Sequence, residues 1–288
     1  EVFWSGPAVT QQTGAYDAFL VRLDALSQRW GFLGVTPGLE GVPVAVDVQP
    51  DTQGQVAVTV RPAIRNAGGM VTFTPDGTSS GAEILRGRVG ETLRVSGVGS
   101  LDVDVAMRGR KTGVVERFPV AGHLGAHRPL VLSHKPSVHY TGGGPQALAD
   151  GRRGSLDFRD GAWQAAQGQD VAATVDLGAS QTLETLQVQC YLYQDAWIFL
   201  PEEVRWEVSK DGVNYDVLGL SKPEDALAPD GRQTVVPFVL DAAGVEARFV
   251  RLTLTNAGVC PPWHDAATEP SWLFADELVV LGCPNHGK

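Results

Sequence analysis

The chain has 288 residues, 43% of them hydrophobic, with 34 Gly, 18 Pro and a formal net charge of −10. That length accommodates two compact domains and part of a third. The acidic balance argues against nucleic acid, whose binding rests on Lys and Arg displacing counterions, and no apolar run is long enough to cross a bilayer.

Residues 13–30 carry the one strong helical pattern. Tyr16, Phe19, Leu20, Leu23, Leu26 and Trp30 fall at helical spacing, and Gly31 follows as a terminator. Such an apolar face has to bury against something, yet everything downstream reads as β. The helix and the preceding EVFWS (1–5) therefore read as the end of a domain whose body lies elsewhere, and the chain, starting on Glu1, as a piece of a longer protein.

From about Val42 the period becomes two. Val42, Val44, Val46 and Val48 alternate, then Val56, Val58 and Val60, and later Leu101, Val103 and Val105. Turn signals at 50–54, 66–69 and 75–77 separate these runs, which predicts a small antiparallel sandwich. A connector over roughly 121–137 carries His123, His127 and His134, with His139 just beyond it. Their spacing does not suit a metal site, so they read as exposed linker histidines.

The last 160 or so residues present a series of landmarks: ALADGRRGS (147–155), DGAWQ (160–164), ATVDLG (173–178), VSKDGVNYDVLG (208–219), ARFVRLTL (247–254) and FADELVVLG (274–282). They describe a turn-rich opening loop, a strand ending in Asp-Leu-Gly, an Asp-Gly hairpin, an Arg-bracketed strand and an acidic closing strand. Trp206, alternating with Val204 and Val208, belongs to the core. In the loop CPPWHD (260–265), Trp263 stands beside His264 and Asp265 and follows two prolines that restrict the backbone. An exposed ring beside polar side chains can stack on the C–H face of a sugar and bond its hydroxyls. Trp272, Tyr140 and Trp197 are further carbohydrate-binding candidates. The alternative for all of these rings is packing, within the sandwich or against a neighbouring domain. Cys190, Cys260 and Cys283 have no metal-ligand spacing; Cys260 and Cys283 pair in one reading, and the thiols are buried and free in the other.

This order of landmarks resembles the discoidin-like (coagulation-factor C-type) sandwich, which overlaps carbohydrate-binding module family 32. The whole chain resembles the C-terminal portion of a bacterial β-N-acetylhexosaminidase of glycoside hydrolase family 20. EVFWS and FLVRL (19–23) stand where that family's (β/α)8 barrel ends, VTFTPDGT (71–78) is similar to a hairpin that commonly follows, and AWIFLP, CPPWH and WLFADE look like its discoidin-like module. The resemblance implies an all-β chain. Residues 1–34 would be the barrel end with one amphipathic helix, 35–125 a small immunoglobulin- or fibronectin-like sandwich, and 126–288 a discoidin-like jelly roll. It places Trp163 on the core side. It also implies a structural Ca2+ held by Asp150 of the opening loop and Glu277 of the closing strand. Arg152-Arg153-Gly154 departs from the pattern, and the arginines would replace the ion if they pair with those carboxylates.

The resemblance implies that the catalytic Asp-Glu pair is absent from this segment. Asp276-Glu277 lacks the preceding H-x-G-G and falls in a predicted strand, where consecutive side chains point to opposite faces. The expectation is a non-catalytic accessory region that weakly contacts glycans ending in N-acetylhexosamine or galactose, partners an upstream barrel, and is secreted or periplasmic. A ligand-free clamp docked on the barrel is the rival reading. An adhesion module on lipid surfaces is disfavoured by the acidic charge.

Overall fold

The computed structural model describes residues 44–283 apart from positions 53, 64–66, 78, 80, 81, 108, 109 and 224–230. The helix expected over 13–30, EVFWS and FLVRL lie outside the described residues. What is described is almost entirely antiparallel β-structure in two sheets.

The first sheet contains β1 (Val44–Pro50), β2 (Gln55–Pro62), β3 (Ala67–Pro75), β4 (Leu85–Arg88), β5 (Thr92–Met107) and β6 (Arg110–Gly122). Its order is β1-β2-β5-β3-β4, with β6 also on β5. The long β5 belongs to both halves: residues 92–96 pair with β2, while the stretch from Gly97 onward pairs with β3 and β6. The handover falls at Gly97, where φ is 81° and an added Cβ would stand 2.6 Å from the Ser79 Cβ. Only glycine takes that conformation in that space. Folding about this point brings Val56, Val58 and Val60 from one half against Val71, Phe73, Leu101, Val103 and Val105 from the other. The period-two pattern therefore marks a real core face.

The second sheet contains β7 (Leu130–Leu132), β8 (Gln164–Gln167), β9 (Val171–Leu192), β10 (Glu203–Ser209), β11 (Asp216–Ser221), β12 (Thr234–Thr255), β13 (Trp272–Ala275) and β14 (Val279–Cys283). Its order is β11-β10-β12-β9-β13-β8, with β7 and β14 also on β9. The two 22-residue strands β9 and β12 pair along almost their whole length and shift register between Asp241 and Val245 and again between Ala247 and Phe249. One core collects Val171, Val175, Val250 and Leu252 from one half of this ribbon and Leu186 and Val188 from the other, together with Leu273 and Trp206. The Asp-Gly hairpin between β10 and β11 forms as expected: Asp211 accepts the N–H groups of Val213 and Asn214, both at 2.8 Å, and these bonds hold its carboxyl below the usual range.

The two units are not joined by a free linker. Val98 and Ala121 of the first sheet pack against Val279 and Leu281 of the second, Val120 bridges to Arg152, and Leu124 N–H bonds the Val280 carbonyl at 2.9 Å. This corrects the expectation of exposed linker histidines. His123 is 2% exposed, His127 and His134 are half-buried, and His139 alone of the four is open to solvent. The sequence reading failed because a Gly- and His-bearing stretch looks solvated until its long-range partner is known. Cys190 and Cys260 are buried free thiols, both pushed up by burial; the side chain of Cys283 is outside the described set.

Candidate functional site

The loops at one end of the second sheet carry two groups of aromatic rings, one around Tyr140 and Trp272 and one around Phe199 and Trp263. The chain leaves β9 through a single helical turn at Gln194–Ala196 and reverses at Trp197, whose φ is 63°. Tyr193 and Ile198 exchange backbone bonds across the reversal. Trp197 and Phe199 then bond the two sides of Trp272, with Trp272 N–H on the Trp197 carbonyl at 2.8 Å and Phe199 N–H on the Trp272 carbonyl at 3.0 Å. This stitching places Trp272 edge-on to Tyr140, with ring centroids 5.5 Å apart. Tyr140 also meets Phe158 at 5.9 Å and Phe274 at 4.9 Å, and Phe158 meets Tyr193 at 6.4 Å. Tyr140, Phe158, Tyr193, Trp197 and Trp272 are all half-buried.

Trp263 belongs to the second group, which meets the first through the backbone bond from Phe199 to Trp272. The loop before β13 closes on itself, with Cys260 N–H on the Glu269 carbonyl at 2.8 Å and His264 N–H on the Pro261 carbonyl at 3.0 Å. The Trp263 ring is left 43% exposed, edge-on to Phe199 at 6.2 Å and to His264 at 5.7 Å. His264 is fully committed: its Nδ1 accepts the Ala266 N–H at 3.0 Å, so Nε2 carries the proton and donates to the Gln194 carbonyl at 2.9 Å. It steadies the loop and leaves no ring nitrogen for a sugar hydroxyl.

The structure thus brings Trp263, His264, Trp272, Tyr140 and Trp197 to one end of the sandwich. Sequence reasoning missed Phe158, Tyr193 and Phe199. Phe199 lay inside AWIFLP, already singled out, but nothing local says which rings of a Trp/Tyr/Phe-rich loop meet. Trp163 and Trp206, read as core, are 1% and 0% exposed.

A second cluster lies where the two sheets meet. Asp276 and Glu277 occupy the break between β13 and β14 rather than a strand, which corrects the expectation for that pair. Both are fully buried. Asp276 accepts Arg153 Nε at 3.0 Å, Gln189 N–H at 2.9 Å, Glu277 N–H at 2.6 Å and Gly154 N–H at 3.3 Å. Glu277 accepts Gly151 N–H at 2.9 Å and Asp150 N–H at 3.2 Å, and faces His123 Nε2 at 2.8 Å. His123 Nδ1 accepts the N–H groups of Gly125 (3.2 Å) and Val280 (3.1 Å), so the proton sits on Nε2 and points at Glu277. Burial, with Arg153 nearby, pulls the imidazole down to about 3. Burial pushes Glu277 well up against the opposing pull of its two backbone donors, and burial with Glu277 nearby raises Asp150 to about 8. Two carboxylates enclosed in this way have no path to a substrate, and the cluster holds the fold together.

Residues 133–273 match the family model described as F5/8 type C domain. Solved structures similar to this chain include a fucose binding module of Streptococcus pneumoniae, at 15% identity over 56% of this chain and 98% of that one, with a TM-score of 0.36. Another is a Clostridium perfringens chain in complex with GalNAc-β-1,3-galactose, at 17% identity over 54% and 94%, with a TM-score of 0.35. A third is the lectin domain of lectinolysin complexed with Lewis B antigen, at 13% identity over 56% and 96%, with a TM-score of 0.36. No curated protein matches. Among the described residues, no helix is long and apolar enough to cross a membrane.

Proposed function

We propose that the F5/8 type C domain is a non-catalytic carbohydrate-binding module that grips a glycan terminus with the aromatic end described above. The observation that carries this reading is Trp263: a large side chain, 43% exposed and braced edge-on by Phe199 and His264. A flat exposed ring suits the apolar face of a pyranose. Asp265 beside it and Asp195 in the adjoining turn are exposed and supply acceptors for hydroxyl groups. On the resemblance carried by EVFWS, FLVRL and VTFTPDGT, we assign the chain to the accessory region of an exported β-N-acetylhexosaminidase-like glycoside hydrolase. The sugars to test are accordingly N-acetylglucosamine, N-acetylgalactosamine and galactose.

Calorimetric titration of the chain with these sugars is expected to give a Kd on the order of 1 mM for at least one of them. Trp263→Ala should abolish the heat while lowering the unfolding midpoint by no more than about 5 °C. No heat with any sugar at near-saturating concentration would end this reading.

One observation favours a second reading, a clamp that docks on a neighbouring catalytic domain. Val138, Leu156 and Val259 in these same loop segments are 78%, 60% and 47% exposed, more apolar surface than sugar contact requires. A silent sugar titration, combined with co-purification of the chain with a separately expressed family 20 barrel, would select the clamp.

A further inference from the structure

We propose that the opening loop of this F5/8 type C domain is held shut by the segment arriving from the preceding sandwich, in the place where the resemblance calls for a calcium ion. Calcium takes six to eight oxygen ligands in a flexible cage. The atoms around Asp150 and Glu277 do not form one. The carbonyls of Leu148, Ala149 and Gly151 already accept the N–H groups of Leu278 (2.8 Å), His127 (2.6 Å) and Ala121 (2.9 Å). The Glu277 carboxylate looks at three N–H groups, those of His123, Gly151 and Asp150, and Asp150 Oδ1 turns back on the Arg152 N–H at 2.9 Å. A divalent cation there would meet the positive ends of dipoles. Among the described residues, no group of three or more His, Cys, Asp or Glu is arranged to hold a metal.

The N–H groups that replace the ion come largely from one stretch of chain. Ala121, His123 and His127 all precede the F5/8 type C match, and each donates either to the opening loop or to Glu277. From within the loop, Arg153 adds the fixed positive charge: it is 3% exposed, it pairs with Asp276, and its own N–H bonds the Pro119 carbonyl of β6 at 3.1 Å. The segment 119–127 and Arg153 together do what an ion does elsewhere, tying the first loop to the last-strand carboxylates. The sandwich before the domain thereby becomes part of its fold. This holds whether or not the aromatic end binds sugar.

The test uses the whole chain. Thermal unfolding with excess EGTA and with about 5 mM CaCl2 should give midpoints within about 1 °C, because an ion that does not bind the native state cannot shift its stability. A saturable rise of several degrees with calcium would overturn the proposal. Hydrogen exchange, read well below the midpoint, then examines the staple itself. In His123→Ala the amides of Asp150 and Gly151 should exchange several-fold faster than in the parent while β12 stays protected, and His123→Gln, which keeps a donor near Glu277, should restore most of that protection. Unchanged exchange at 150–151, or acceleration spread evenly over the domain, would count against it. Should the alanine variant fail to fold, the calcium melt on the unaltered chain and the Gln variant still decide.

Discussion

Acidification offers a test of the buried network. His123 sits in a neutral tautomer whose Nδ1 accepts two backbone N–H groups, so adding a proton there breaks both bonds. Around the ring stand Glu277 and Asp276 from the β13–β14 break, Arg153 and Asp150 from the opening loop, and His127 further along its own segment. Its pKa falls from 6.5 in the unfolded chain to about 3 in the fold. The unfolded chain therefore takes up this proton first, and the contribution to stability is complete above pH 6.5 and lost as pH falls toward 3. At ~1.4 kcal/mol per pKa unit, the loss reaches about 3 kcal/mol by roughly pH 4 and approaches about 5 kcal/mol at the limit. Asp150 works in the opposite direction over much of this range, so the parent profile alone will look flat. The informative quantity is the difference between the parent and His123→Gln, since Asp150 is common to both. Urea unfolding at about pH 7, 5.5 and 4 should show the parent's advantage shrinking by about 3 kcal/mol on acidification. Parallel profiles would refute the buried neutral imidazole and the hydrogen-bond scheme drawn around it.

Other perturbations reach different parts of the molecule. Asp150, raised from 3.8 to about 8, holds a proton in the fold that the unfolded chain has released, so this contribution to stability falls as pH rises between those values; Asp150→Asn should remove that decline from the urea-midpoint profile. In Gly154→Ala the new Cβ would lie 2.0 Å from Trp163 Cε2, against a ring that is 1% exposed and boxed by Tyr191, and calorimetry should register a loss of about 3 kcal/mol or failure to fold. Tyr191→Phe keeps the ring contacts but removes the hydroxyl that donates to the Leu156 carbonyl, a cost of about 1 kcal/mol by urea unfolding. Trp263→Ala should cost under about 1.5 kcal/mol in the same assay, because nearly half of the ring is already in water.

The features that were legible in advance are those governed by near neighbours along the chain. Alternating valines can bury one face only as strands, so Val56, Val58, Val60 and Leu101, Val103, Val105 declared their core side without help. The Asp211-Gly212 turn announced a hairpin because its carboxylate bonds amides two and three residues ahead. The loop motifs carrying Trp197, Trp263 and Trp272 meet at one end of the sandwich, although which rings lie open could not be read from them.

Apart from the approach of Asp150 to Glu277, which the resemblance implied, contacts across more than a hundred residues were not legible. His123 and Glu277 are 154 positions apart, and Arg153 meets Asp276 across 123. Nothing local distinguishes a solvated histidine from one clamped between two sheets, or an Asp-Glu pair in a strand from one in a break. Composition, period and turn chemistry by themselves indicated an acidic chain that reads as β from about Val42 onward, with a turn-rich terminal module bearing aromatic loops. The tertiary structure alone decided which titratable groups lose their water and which rings stay exposed, because both depend on how distant strands close over one another.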